Sequence, residues 1–300
     1  MTGYEISEEI QYDIIIVGGG VYGAVIAREC ACNGYTTALI EKEEFCGSTS
    51  AHSLNVLHGG LRYLQHFNIK RMRRSINSRR YFQQVSPDNI EYLPFLTPLD
   101  SWGINSPFIM RSALLLNDLI SIDRNNGMSK QQYIKGGSVL SRKSLLRKLP
   151  EFSHTPVSGA ALWYEAVMNN VKQVVNDVLH SAVKNGAVIA NNTEAIELLH
   201  HAGRLTGINC RDSHGNNIKI KGGTVIDTSG RTSEKLGSSL PGYETNRQDW
   251  ARAENMLIDK RIFKGYSVGL KYSDNVMDNE AKFNSGNRHL FFVPVKHGSA

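Results

Sequence analysis

The sequence predicts an α/β fold opened by a parallel βαβ unit, and three observations carry the prediction. Residues 12–17, Tyr12-Asp13-Ile14-Ile15-Ile16-Val17, form a short β-branched run of the kind found in a buried strand. Gly18-Gly19-Gly20-Val21-Tyr22-Gly23 follows at once and fits G-x-G-x-x-G. An acidic residue, Glu41, closes the next apolar run, near the expected offset of about 20 residues.

The glycines have separate physical tasks. Gly18 permits the tight turn off the strand, Gly20 lets a pyrophosphate approach the backbone, and Gly23 lets the helix pack closely on the sheet. The helix over 21–33, stopped at Gly34, offers free N–H groups and a positive dipole end to phosphates. Residues 36–40 form the second strand. A carboxylate at Glu41 accepts from ribose hydroxyls and repels a 2′-phosphate, which argues against NADP.

Further along, the Arg-rich stretch 69–84 reads as a helix. Residues 85–110 hold four of the eight prolines and read as loop with short strands, 93–99 among them. A helix is expected over 111–122. From Val167 to Val183 the apolar positions Val171, Val174, Val175, Val178, Leu179, Ala182 and Val183 follow helical spacing, and Gly186 stops the run. Short strands are expected at 187–190, 195–199, 205–210, 218–220 and 224–228. Two more, at 266–272 and 289–296, read as an antiparallel pair of a second sheet.

With 300 residues, 41% hydrophobic and 21% charged, the chain can bury a large core. A formal charge of +6 suits an anionic ligand or surface without selecting one. There is no zinc-type cysteine spacing, no other metal signature and no RNA-binding motif. Cys30, Cys32, Cys46 and Cys210 read as reduced thiols of a cytoplasmic protein. The polar, acidic N-terminus is not a signal peptide, and the apolar runs fall far short of the roughly 20 residues of a membrane span.

After Glu41 the chain leaves the strand–helix alternation of a simple NAD domain. It runs through Gly47-Ser48-Thr49-Ser50 and returns with a helix, a meander and a strand into Thr228-Ser229-Gly230. That layout resembles the glutathione-reductase-like two-dinucleotide-binding FAD fold. The block from Ser48 to Leu64, above all His58-Gly59-Gly60-Leu61-Arg62-Tyr63-Leu64, resembles the flavin segment of FAD-dependent glycerol-3-phosphate dehydrogenases, within the D-amino-acid-oxidase-like superfamily. The likeness continues through Leu93-Pro94-Phe95-Leu96, the helix after Glu165-Ala166, Thr228-Ser229-Gly230 and Phe291-Phe292-Val293-Pro294.

The resemblance implies FAD as cofactor. It assigns Gly18, Gly20, Val21, Tyr22, Gly23, Glu41 and Lys42 to the ADP half, and Ser48, Thr49 and Ser50 to the pyrophosphate and ribityl chain. His58, Gly59, Gly60 and Leu61 would run beside the isoalloxazine, Ala195 would approach the adenine, and Ser229 and Gly230 would close over the pyrophosphate. Arg62 and Tyr63 match substrate-pocket positions, and a guanidinium suits phosphate or carboxylate. His58 and His52 are the nearby imidazoles that could take a hydroxyl proton, with His58 alternatively a structural histidine bonding backbone.

The expected domains are 1–84 with 157–245 for FAD, and 85–156 with 246–300 for the substrate, the latter an antiparallel sheet incomplete at its C-terminal end. Compared with the family pattern, Leu54-Asn55 stands where Ser-Lys is usual, and Glu165-Ala166 where Asp-Ala is usual. The chain also reads as C-terminally truncated. The reaction implied is hydride transfer from a small hydroxylated, anionic, glycerol-3-phosphate-like substrate to flavin N5, with quinone or oxygen as acceptor. An amine or amino-acid oxidase, or a flavin-binding protein without turnover, are the alternatives. The basic run Lys70-Arg71-Met72-Arg73-Arg74 with Arg79-Arg80 reads either as a solvated helix face or as peripheral contact with the inner face of a membrane. No nucleic-acid partner is implied.

Overall fold

The computed structural model describes residues 6–239, 255–260, 262–272 and 288–294. In chain order its strands and α-helices are β1 (Gln11–Val17), α1 (Val21–Cys32), β2 (Thr37–Ile40), β3 (Val56–Leu57), α2 (Ile69–Val85) and β4 (Ile90–Leu99). Then come α3 (Pro107–Ile120), β5 (Ser138–Ser141), α4 (Arg142–Lys148), β6 (Gly159–Met168), α5 (Val171–Lys184) and β7 (Val188–Ala190). The series closes with β8 (Glu194–His201), β9 (Arg204–Arg211), β10 (Asn217–Asp227), α6 (Ser233–Gly237), β11 (Ser267–Tyr272) and β12 (Arg288–Phe292). The chain divides into two units, Met1–Leu54 with Asn170–Asn255 and Asn55–Asn169 with Met256–Ala300.

The first unit is built on a six-stranded sheet in the order β7-β2-β1-β10-β9-β8. Its four leading strands pair in parallel and the last three form an antiparallel meander. Ile15, Ile16 and Leu39 are fully buried, as expected of parallel strands covered on both faces. Helix α1 turns Gly23, Ala24, Ala27 and Ala31 inward, a face of small residues that packs against the valine-rich face of α5. Asn170 caps α5 by accepting from the Gln173 N–H.

The second unit has the sheet order β12-β11-β4-β6-β3, with β5 also on β6. Strands β4 and β6 pair antiparallel over ten residues, from Ile90↔Met168 to Leu99↔Gly159. The sheet is otherwise antiparallel except for β11, which joins β4 in parallel at Phe95 and Leu96.

Several sequence expectations shift here. Residues 55–84, expected with the FAD domain, group with the second unit because β3 pairs with β6 and Arg79 of α2 is ion-paired with Glu165 of β6. The boundary expected at 157 falls at Asn170 for the same reason, since β6 is the spine of the second sheet. The strand expected at 93–99 is present and starts three residues earlier, as β4; Pro94 and Pro98 lie in it four apart, so both missing N–H groups fall on one edge. Pro107 instead occupies the first turn of α3, which starts four residues before its expected position. The helical pattern read from Val167 begins at Val171, because Val167 and Met168 end β6. The strands expected at 218–220 and 224–228 are one strand, β10; a Cβ at Gly222 would press on Ile15, so that glycine serves close strand packing and no turn. In 289–296, residues 295 and 296 lie outside the described residues.

Candidate functional site

In the first unit the glycine loop is stitched between three strands. The Gly18 N–H donates to the Ile40 carbonyl at 2.8 Å, and the Thr228 N–H to Val17 at 2.8 Å. The Thr228 hydroxyl lies 2.9 Å from the carbonyls of both Val17 and Gly18. Gly18 has φ +105°, and a Cβ there would lie 2.7 Å from the Thr228 carbonyl carbon. Only glycine meets both demands. At Gly23 a Cβ would overlap the Gly18 carbonyl, so the helix–loop contact needs glycine as well.

Glu41 turns its carboxylate onto this loop. One oxygen accepts from the Gly19 N–H at 2.6 Å and the other from the Glu43 N–H at 3.0 Å. Each oxygen therefore keeps a lone pair for a sugar hydroxyl. The N-cap of α1 is Gly20, with no side-chain cap and no acidic residue in the first turn. The Val21 N–H donates to the Ser50 hydroxyl at 3.1 Å, so that oxygen stands where a phosphate oxygen would accept. A Cβ at Gly20 would meet only this hydroxyl, at 3.1 Å. A helix terminus held only by an exchangeable hydroxyl, a glycine face and a carboxylate at the strand end fit the ADP half of FAD.

The other predicted positions of this unit are placed as follows. Tyr22, Lys42, Ser48 and Thr49 are exposed, and Lys42 pairs with Glu43 at 3.5 Å. Ser229 is held by Asp227, which accepts from its N–H at 2.8 Å and from its hydroxyl at 2.6 Å, and Gly230 follows at φ +66°. Ala195 is half-buried near the start of β8, opposite Cys210. The His52 side chain is exposed.

The second unit holds the His58–Leu61 segment by a buried carboxylate. Glu165 accepts from the Gly59 N–H at 2.5 Å, from Arg79 Nη1 at 3.1 Å and from Trp163 Nε1 at 3.2 Å. The Glu165 and Arg79 side chains are 4% and 5% exposed, so each charge depends on the other. His58 Nδ1 lies 4.0 Å from the second Glu165 oxygen, with its ring half in solvent. Gly60, at φ +87°, turns the chain into a short 3-10 helix, Leu61–His66, carrying an exposed Arg62 and a half-buried Tyr63. The Arg71 guanidinium lies over the Tyr63 ring at 4.7 Å.

Sequence reasoning named Arg79 only within the basic run, Thr228 only within the returning strand and Glu165 only as a departure from Asp, and read none of them as a site residue. The signal for Glu165 was a charge inside Gly159–Met168, an otherwise apolar run that requires a buried partner.

A parallel sheet with a glycine loop at the start of its first helix and a carboxylate at the end of its second strand defines a dinucleotide-binding scaffold. The FAD dependent oxidoreductase (DAO) family model matches residues 13–298, and the chain belongs to that family. It is similar to an alpha-glycerophosphate oxidase of Streptococcus pneumoniae, 29% identical over 262 residues, 86% of this chain and 42% of the relative. A glycerol-3-phosphate dehydrogenase of Mycobacterium leprae is 28% identical over 75% of this chain and 37% of its own length. The solved glycerol-3-phosphate dehydrogenase of Bacillus halodurans, complexed with FAD, superposes with a TM-score of 0.58 at 16% identity, covering 96% of this chain and 49% of that one. The chain thus spans less than half the length of the curated relatives it matches.

Proposed function

We propose that the chain binds FAD and belongs to an oxidoreductase that oxidises a small hydroxylated anion of the glycerol 3-phosphate kind. The observation that carries the reading is the Glu41 carboxylate folded onto the glycine loop at a helix N-terminus without an acidic first turn, whose first amide is held by the Ser50 hydroxyl. The names of the two curated relatives support the substrate class. FAD, when bound, supplies a hydride acceptor.

The chain's own residues do the rest. In this reading Gly18, Gly20 and Gly23 give the diphosphate its approach, Glu41 takes the ribose, and Ser50 yields the first-turn amide to phosphate. His58, with Nδ1 toward the Glu165 carboxylate, leaves Nε2 to accept the proton of the substrate hydroxyl. Arg62 and Tyr63 orient the anionic end. The four cysteines are free thiols, which supports a reducing, cytoplasmic setting. Among the described residues no helix is long and apolar enough to cross a membrane.

The test is anaerobic addition of glycerol 3-phosphate to the FAD-reconstituted chain. Bleaching of the visible flavin band supports the reading. A flavin band bleached by amino acids and untouched by glycerol 3-phosphate would replace it with the oxidase alternative.

A further inference from the structure

The basic run of α2 is sorted by the helix period into separate tasks. Arg73 and Arg80 both turn to Asp123, at 2.6 and 3.1 Å, and Arg79 is buried against Glu165. Lys70, Arg74 and Ser78 fall at i, i+4 and i+8 and form one row; Arg71 and Ser75 lie on the adjacent row. Both rows line a cleft of about 690 Å³ that His58 and β3 also line. None of the described residues lining this cleft is acidic.

Exposed Lys70, Arg71 and Arg74 bring three charges beside the α2 N-terminus, which has no acidic residue in its first turn and whose Arg71 N–H is capped by the Asn68 side chain. Lys70 and Arg74, four apart, repel each other along the helix with no acid in the cleft to offset them. An anion would relieve that repulsion. Arg71 is already oriented by the Tyr63 ring, so its fork is partly preorganised. Ser75 and Ser78 add hydroxyl donors. Three cations with two hydroxyls suit a group that carries up to two charges and several acceptor oxygens, which is phosphate rather than a single carboxylate. The cleft is open to solvent, so a ligand held there keeps part of its surface in water.

We propose that the cleft of α2 binds a phosphorylated anion through its terminal phosphate, recognised by Lys70, Arg71 and Arg74. The site lies wholly in the second unit: Lys70, Arg71 and Arg74 belong to none of the glycine-loop and Glu41 contacts of the first, while His58 at its edge is the residue that the proposed function gives to the substrate hydroxyl.

The experiment titrates inorganic pyrophosphate into the FAD-loaded full chain, whose diphosphate cradle is then filled, by calorimetry, with Lys70→Glu and Arg74→Glu beside it and Lys130→Glu as a control outside the cleft. Pyrophosphate has no carbinol, so its binding reads phosphate recognition and not turnover. A second arm measures co-sedimentation with phosphatidylcholine vesicles with and without phosphatidic acid. Each charge reversal is expected to weaken pyrophosphate binding at least about tenfold, and added salt to weaken it further. The control stays unchanged. Arg74→Gln, which keeps a good helix former, is expected to weaken binding in the same direction should Arg74→Glu fail to fold. Pyrophosphate binding lost in the variants assigns a free anion. Binding to phosphatidic acid vesicles alone, lost in the same variants, assigns a lipid headgroup. Wild-type affinity in the variants, or no binding of either probe by the wild type, overturns the proposal.

Discussion

Replacing Arg79 by Met tests whether the flavin-segment loop rests on a buried ion pair. The two side chains are 5% and 4% exposed, with Nη1 and Oε2 3.1 Å apart. Arg79→Met leaves the Glu165 carboxylate its Gly59 and Trp163 donors but no counter-charge, a loss expected to cost about 3–5 kcal/mol. Glu165→Leu strands the guanidinium instead and is expected to cost about the same. The double change removes both charges and leaves the Gly59 N–H as the main orphan, worth about 1–3 kcal/mol. The double variant should then be far more stable than the sum of the singles predicts, with a coupling of about 3 kcal/mol or more. Urea unfolding followed by Trp fluorescence suits the assay, because the Trp163 indole donates to Glu165. Single changes costing under about 1 kcal/mol, or a double change that is additive within about 0.5 kcal/mol, would refute the reasoning.

Other consequences follow from single atoms. Gly20→Ala should fold with a stability change under about 1 kcal/mol, since Gly20 has φ −76° and its Cβ meets only Ser50, yet weaken FAD at least about tenfold in a fluorescence titration. Gly23→Ala, whose Cβ overlaps the Gly18 carbonyl, should fail to give folded protein under the same expression. The Arg73 hydrogen bond, with Arg80 nearby, holds the Asp123 carboxyl well below the ordinary carboxylate range. A depressed folded pKa stabilises above the unfolded value of about 3.9 and is lost as pH falls through the folded one. The stability gap between wild type and Asp123→Asn should therefore be constant from about pH 7 to 5 and close only below about pH 4. Burial pushes the Cys210 thiol up to about 12, so a thiol reagent near neutral pH should label exposed Cys32 in the folded chain and reach Cys210 only after unfolding; labelling of Cys210 at the rate of Cys32 would contradict its burial.

How much of this was legible in the chain depended on the range of each signal. The β1-α1-β2 unit and Glu41 were readable because their tasks fix residue type and spacing within some thirty positions. α5 was readable from its valines, but its start was not: Val167 fits the helical period by coincidence, and the true boundary is the Asn170 cap. β6 is buried along most of its length and shows no alternation, so it carried no period to read. Of β4 the stretch 93–99 was readable despite its prolines, but its first residues, 90–92, were not, because they are set by pairing with β6. The Arg79–Glu165 pair joins residues 86 positions apart, and only folding sets a buried charge beside its counter-charge. The same holds for the split of the α2 arginines between Asp123, Glu165 and the cleft, which the sequence presented as one basic run.

The central claim, a ribose held by Glu41 above the glycine loop, is tested most directly by calorimetric titration of ADP into the wild type and Glu41→Ala, with 2′-phosphorylated ADP as a third arm. ADP should bind the wild type, bind Glu41→Ala at least about tenfold more weakly, and outcompete its 2′-phosphorylated form. Equal affinity of the wild type for both nucleotides, or of both proteins for ADP, would contradict it.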